Sequence, residues 1–433
     1  MIDESRTYEL DRAHVFHSWS AQAALKPMVV HRAEGSRIWD DSGKEYLDFT
    51  SQLVFTNIGH QHPAVVAAIK EQADKLCTIA PATANAARSE AARLIAEIAP
   101  DGHDKVFFTN GGADANEHAI RMARMHTGRI KVLSTYRSYH GGTQLAVNVT
   151  GEPRRWASDY GNAGTVHFFG PYLYRSAFHA TTEEEECARS LAHLEQVIES
   201  EGPSSIAALI LEAVPGTAGV MIPPAGYMAG VRELCTKHGI VFIADEVMAG
   251  FGRTGTWLAT DMYEGVVPDL ITFAKGVTSG YVPLGGVILS EAIAATFADK
   301  VYFGGLTYSG HPLACATAVA TIEAMRAEGM VEHAARIGAE IIGPRLAKLA
   351  ANNDVIGETR GIGAFWAIEF VSDQERRTPL GADGMNAIAG ACKERGYLPF
   401  VAGNRIHVVP PINISEADLN AGLDMLEDAI GVV

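Results

Sequence analysis

Four short stretches of this chain set reactive residue types at the ends of apolar runs. In "PDLITFAKGV" (268–277), Leu270, Ile271 and Phe273 read as a buried strand that ends on Lys275. Such an amine is either a rim lysine with its head in water or a base of lowered pKa able to condense with an aldehyde. In "GIVFIADEVMAGFGR" a second apolar run ends in Asp245-Glu246. A carboxylate there can cap the next helix, pair with a lysine, bind a metal or hold a protonated nitrogen. In "VFFTNGGADANEHAIRMAR" a strand runs into Gly111-Gly112 and then into a helix, with Asp114 and Glu117 in a D-x-x-E capping pattern. Two glycines before a helix either make a tight turn or let backbone N–H groups approach an anion, aided by the helix dipole. In "STYRSYHGGT", Tyr139 and His140 follow a further strand, and the aromatic either fills core or offers a platform for a flat ring.

One ligand answers all four stretches together. Pyridoxal 5′-phosphate needs a helix N-terminus for its phosphate, a carboxylate for its pyridine nitrogen, a lysine for its aldehyde and an aromatic for its ring. The glycines match neither the Walker pattern nor G-x-G-x-x-G, so a nucleotide is not the expected guest and a dehydrogenase lacks its fingerprint.

These residues need a scaffold that brings strand ends together. Between about residues 61 and 310, short apolar runs alternate with amphipathic helices. The strand candidates are Val106–Thr109, Lys131–Ser134, Ala207–Leu211, Val241–Ala244, Leu270–Ala274 and Gly286–Leu289. Runs without two-residue alternation predict a mostly parallel sheet covered on both faces, and such sheets bind ligands beyond the carboxyl ends of their strands. Residues 1–60 read as an N-terminal segment with a hairpin around "DDSGK", contributing to a smaller domain. Residues 61–310 read as the large domain, and 311–433 as a C-terminal α+β small domain that ends in a helix capped at Ser415. The run Glu183–Glu186 reads as the first turn of a helix, where carboxylates suit the dipole.

Bulk numbers narrow the partners. The chain has 433 residues, 47% hydrophobic and 20% charged, with a formal net charge of −16. That charge argues against nucleic acid and anionic membrane, and means that a small anionic substrate needs a local cation. Five scattered cysteines without a CxxC pair argue against zinc and a disulfide framework, so no metal is expected. The acidic start "MIDESRTYELDR" carries no apolar signal segment, and a cytoplasmic location is the natural reading.

The motifs resemble the class III (ω-amino-acid) pyridoxal-phosphate aminotransferases of the aspartate aminotransferase fold, fold type I, over nearly the whole chain. The resemblance rests on "YLDFTSQLVFTNIGHQHPAV", "TNGGADANE", "SYHGGT", "LILEAVPG", "ADEVMAGFGRTG", "FAKGV", "TYSGHPLACA" and "NRIHVVPPINIS". It implies that Lys275 carries the Schiff base and that Asp245 pairs with the pyridinium nitrogen. Gly111, Gly112 and Ala113 border the phosphate, with backbone N–H groups from Gly112 and Ala113. Tyr139 stacks on the ring beside His140, and Val247 packs on the opposite face. Thr307 would reach the phosphate of a neighbouring subunit's cofactor, which implies a homodimer or a dimer of dimers. The implied reaction is ping-pong: Lys275, released by an amine donor, moves a proton between donor carbon and cofactor carbon, and an oxo acid then reverses the sequence.

Substrate residues follow from the same resemblance. Glu212 and Arg405 match the glutamate–arginine pair that opens and closes for alternate substrates. Leu53 and Val54 fall where the family lines its pocket, while Trp19 either joins them or packs as core. Members that use 2-oxoglutarate read S-x-H-G-R-T, and here Gly142 replaces that arginine. The expected acceptor is therefore pyruvate, as in the ω-amino acid:pyruvate branch, unless another arginine such as Arg137 substitutes. The alternatives are a 2-oxoglutarate-dependent 4-aminobutyrate or ornithine type of transaminase, or an aminomutase or racemase, since the fold alone does not fix the reaction.

Overall fold

The computed structural model describes residues 4–158 and 164–432. Its strands, in chain order, begin with β1 (Val30–Glu34), β2 (Arg37–Asp40), β3 (Glu45–Asp48), β4 (Lys105–Thr109), β5 (Lys131–Thr135) and β6 (Thr165–Phe168). Then come β7 (Ile206–Glu212), β8 (Val241–Asp245), β9 (Leu270–Phe273) and β10 (Gly285–Leu289). The C-terminal part adds β11 (Ile356–Ile362), β12 (Phe365–Asp373), β13 (Thr378–Pro379), β14 (Tyr397–Leu398), β15 (Phe400–Ala402) and β16 (Arg405–Val408).

The large sheet has the order β4-β10-β9-β8-β7-β5-β6. Only β10 runs antiparallel to its neighbours; the other pairings are parallel. Every residue of β7, β8, β9 and β10 is buried, as continuous apolar runs require of strands covered on both faces. Alternate residues serve opposite layers. Leu270, Ile243 and Val287 pack under Ala119, Ile120 and Ala123 of the helix Gly112–Thr127. On the other face Ile271 and Ile288 meet Ala314, Ala318 and Ile322 of the helix Pro312–Ala327. Burying each such Ile or Leu contributes roughly 1.5–3 kcal/mol.

All six expected strands form, within one residue at each boundary. The sheet also holds β6, which pairs only with β5 at one edge and is only partly buried over its first three residues, so its sequence lacks an apolar run. The acidic run opens the helix Glu183–Glu201, whose N-cap Thr182 accepts a hydrogen bond from the Glu185 N–H. The expected D-x-x-E cap on the helix Gly112–Thr127 does not form. Gly111 is the N-cap, so Glu117 lies too far along to reach back. Glu117 instead accepts hydrogen bonds from the N–H groups of Leu145 (2.5 Å) and Ala146 (3.3 Å), in the first turn of the helix Gln144–Val149.

Two smaller sheets complete the chain. β14 runs parallel to β3 in the sheet β1-β2-β3-β14, so N-terminal and C-terminal segments share a layer. The other sheet has the order β11-β12-β16-β15, with β13 paired to β12. Among the described residues, no helix is long and apolar enough to cross a membrane.

Arg253 ties these parts together and is fully buried. Its guanidinium donates to the carbonyls of Ala364 (3.0 Å) and Pro410 (2.5 Å), to Ser51 Oγ (3.2 Å) and to Asn57 Oδ1 (2.9 Å). Burial pushes its pKa down to about 9, and Asp48 opposes that fall. Arg253→Met should cost about 3 kcal/mol or more, because several buried acceptors lose their donor at once. Chemical denaturation reads this as a lowered midpoint, and an unchanged midpoint would refute the tie.

Candidate active site

The site begins with strand register. On the parallel strands β7, β8 and β9, Glu212 lies opposite Asp245, and Asp245 opposite Thr272. Lys275 follows Thr272 by three residues. Tyr139 and His140 follow β5 on the same sheet, and Gly112 opens the helix after β4. The four stretches thus meet at the carboxyl edge and border one cavity of about 750 Å³. Gly111, Gly112, Ala113, Tyr139, His140, Glu212, Asp245, Val247 and Lys275 line it, together with Trp19, Leu53 and Arg405.

Lys275 is strained and unpaired. Its φ of 46° lies in the left-handed region, which costs a residue with a side chain on the order of 1 kcal/mol. Among the described residues its amine makes no hydrogen bond or ion pair. Burial pushes its pKa down, opposed by Asp245 and Glu212 and assisted by the charge of Arg154.

Asp245, 3% exposed, is held from three sides. Its Oδ2 accepts from Asn116 Nδ2 (2.8 Å) and His140 Nδ1 (2.7 Å), and its Oδ1 from the Val247 N–H (3.0 Å). A carboxylate only accepts, so His140 carries its proton on Nδ1. Three donors on about four acceptor positions leave room for one more. Asn116 is positioned in turn by Thr272, whose hydroxyl donates to Asn116 Oδ1 (2.8 Å). The sequence reading missed Asn116, although an amide on a helix face of Ala115, Ala119, Ile120 and Ala123 was a signal. Gly112 has a steric reason: a Cβ there would sit 2.7 Å from Val247 Cγ1.

The expected Glu212–Arg405 pair is not made. Glu212 is buried and accepts from the N–H groups of Tyr139 (3.0 Å) and Gly216 (2.9 Å), which consumes its carboxylate in positioning two loops. Burial pushes its pKa up, partly offset by His140. Arg405 has no hydrogen bond or ion pair among the described residues, and its Nε is buried without a partner. Nearby Glu369 is already taken by Tyr172, Arg175 and Arg360. Arg137, an exposed residue whose guanidinium lies 5.0 Å from the centre of the Tyr172 ring, adds further positive charge.

Two expected residues lie elsewhere. Val54 is 1% exposed and packs in the core with Phe365 and Val409, because the irregular turn at Ser51–Val54 aims only Leu53 at the cavity. Thr307 is exposed and outside the cavity, near Phe303, which is 85% exposed. Trp19 borders the cavity rather than the core. The pair Glu152 and Arg154 also lines the cavity, with no signal in the sequence reading. Among the described residues, no group of three or more His, Cys, Asp or Glu is placed to hold a metal.

Comparison with known proteins gives this geometry a family. The model of "Aminotransferase class-III" matches residues 19–430. The chain belongs to the class-III aminotransferases. It is 35% identical to the 5-aminovalerate aminotransferase DavT of Pseudomonas aeruginosa over 414 residues, 93% of each chain. It is 33% identical to the acetylornithine aminotransferase of Methanothermobacter thermautotrophicus, over 99% of both. Among solved structures, it resembles the taurine:2-oxoglutarate aminotransferase of Bifidobacterium kashiwanohense, in complex with PLP and glutamate. That TM-score is 0.96 at 40% identity, covering 100% of this chain and 98% of the other. The (S)-enantioselective ω-transaminase of Thermomicrobium roseum matches with a TM-score of 0.93 at 36% identity, covering 100% and 99%.

This class-III aminotransferase is a pyridoxal-phosphate enzyme of fold type I. Its own residues fit the cofactor: an unpartnered amine, a carboxylate with one acceptor position left, and a helix N-terminus kept bare by Gly112 face one cavity.

The amine's lowered pKa has a stability consequence. Below its folded pKa, the buried charge destabilises the apoprotein; between that value and the ordinary 10.5, the unfolded chain binds more protons, so stability rises with pH. Lys275→Met should therefore stabilise the apoprotein, on the order of 1 kcal/mol. The gap should narrow from about pH 7 to about pH 10 in urea denaturation. A gap independent of pH would contradict this account.

Proposed function

We propose that the enzyme moves an amino group from an ω-amino acid or simple amine to an oxo acid, with pyruvate as the acceptor it uses best. The observation that carries this reading is the pairing of an unpartnered Lys275 with an unpartnered Arg405 in one cavity. When bound, pyridoxal phosphate supplies an aldehyde for the amine and a ring that stores electrons. Lys275 is the base that takes and returns the substrate proton at its Nζ, and a lowered pKa suits that task. Asp245 would accept a hydrogen bond from the protonated ring nitrogen, with His140 and Asn116 fixing its orientation. Tyr139 and Val247 would hold the ring between them, and backbone N–H groups at Gly112 and Ala113 would receive the phosphate.

Arg405 receives the oxo acid's α-carboxylate by a bidentate contact. The pyruvate preference rests on Gly142, where an added Cβ would meet nothing within 4 Å, so no cation stands there for a second carboxylate. A second reading, 2-oxoglutarate as acceptor, draws support from the Bifidobacterium relative named for that acid. Thr307 serves the cofactor of a second subunit, so the working unit is a dimer.

Lys275→Ala should abolish amino transfer and the cofactor's lysine-bound absorbance together. Arg405→Ala should raise the oxo acid KM by about 10- to 100-fold, as expected for a lost charged hydrogen bond. Single-turnover reaction of the pyridoxamine form with pyruvate and with 2-oxoglutarate decides the acceptor, and faster turnover with 2-oxoglutarate reverses the preference. Products formed without any oxo acid would point to an aminomutase or racemase.

A further inference from the structure

Behind Arg405 lies a second cavity of about 350 Å³, within the size range of small-molecule sites. Arg137, Arg175 and Arg405 line it, together with Tyr172, Asn404 and Glu369. Arg405 and Glu152 border both cavities, so the arginine stands in the wall between them. Arg137 borders the second cavity and not the one that holds Lys275.

The charges around this second cavity do not balance. Glu369 accepts from the Tyr172 hydroxyl (2.8 Å) and pairs with Arg175 (2.7 Å) and Arg360 (3.0 Å). Glu358 pairs with Arg360, and Glu152 with Arg154. Arg137 and Arg405 are left over: among the described residues neither makes a hydrogen bond or ion pair, and the Arg405 Nε is buried without a partner. Four guanidiniums around Glu358 and Glu369 thus carry two positive charges in excess. Burial pushes the Arg405 pKa down; Glu369 opposes that fall, while Arg360 and Arg137 add to it. The backbone holds the like charges together. Arg137 has a φ of 66°, a strained conformation for a residue with a side chain. Its turn is tied down by the Ser138 carbonyl, which accepts from the N–H groups of Gly151 (3.0 Å) and Glu152 (3.2 Å). Gly219 packs between two arginines: its carbonyl accepts from Arg360 Nε (2.6 Å), and a Cβ there would lie 2.7 Å from Arg405 Cδ.

We propose that this cavity is a second anion site, taking a compact dianion such as inorganic phosphate or sulfate between Arg137 and Arg405. A guanidinium presents paired N–H donors that match an oxyanion. Two negative charges cancel the excess that the arginines leave, whereas a monocarboxylate cancels half of it. Because Arg405 lines both cavities, a dianion in the second draws its donors away from the α-carboxylate of an oxo acid in the first. Occupancy of either cavity therefore weakens binding in the other, equally in both directions. The anion site stands independently of the amino-transfer reading, and only the competition rests on it.

The test is titration calorimetry of sulfate into the holoenzyme, whose bound cofactor keeps its own phosphate site filled. Sodium chloride at matched ionic strength is the control. Sulfate should bind the wild type, and Arg137→Gln should weaken it by about 10- to 100-fold, the range for a lost hydrogen bond between charged groups. Arg137→Lys should recover part of that affinity. In steady-state assays with 1-phenylethylamine as donor, sulfate should raise the KM for pyruvate several-fold and leave kcat unchanged. In Arg137→Gln that rise should disappear. No sulfate binding by the wild type, or equal binding by wild type and Arg137→Gln, overturns the site. Binding that depends on Arg137 and leaves the pyruvate KM unmoved overturns the competition. Absence of amino transfer by the wild type with every donor overturns the activity reading instead, whatever the calorimetry gives.

Discussion

Strands β7, β8 and β9 run parallel and end in register, and the rest of the site depends on that alignment. Register places Glu212, Asp245 and Thr272 side by side. Each then has one task set by its place: Glu212 fixes the Tyr139 and Gly216 backbones, Asp245 faces the cavity, and Thr272 orients Asn116 against Asp245. A shift of one residue in any strand would turn these polar groups into the layers of Ile and Leu that flank the sheet. The buried apolar residues of β7 to β10 hold the register, so packing far from the chemistry determines its geometry.

Charge distribution follows a second constraint. The chain as a whole repels anions, with a net charge of −16, yet its substrates carry acid groups. The molecule resolves this locally. Arg137, Arg175, Arg360 and Arg405 gather around Glu358 and Glu369, so four guanidiniums face two carboxylates. Glu369 binds Arg175 and Arg360, which leaves Arg405 with charge and donors to spare. Half-buried and without a partner, such a guanidinium is held at a cost in desolvation that an incoming carboxylate offsets.

Much of this was legible in the residues, and the reasons differ by feature. Apolar runs of four to seven residues identified the central strands because both sheet faces are covered; β6 escaped because an edge strand needs no such run. Residues whose role follows from chain position, such as Lys275 and Asp245 at strand ends, could be read one at a time. Asn116 could have been read the same way, from a polar side chain on an apolar helix face. Val54 could not. Its neighbours Ser51 and Gln52 adopt positive φ, and no local pattern tells which side chain such a turn aims at the cavity. Pairings between distant residues were also hidden, since the sequence shows which carboxylates exist without showing which donors reach them first.

The two glutamates at this site make that last point physical. Glu212 is 7% exposed and has both carboxylate oxygens engaged by backbone N–H groups. Releasing it would leave two buried donors unsatisfied, at a cost of about 1–3 kcal/mol each. Glu152 is more exposed, sits at the start of a short helical turn, and holds a guanidinium two residues away. Its carboxylate is thus nearer to water than that of Glu212. Resemblance made Glu212 the candidate for a moving partner, and a carboxylate moves most easily where solvent can take over the hydrogen bonds it releases. By that criterion Glu212 is held as scaffold for the two loops it binds.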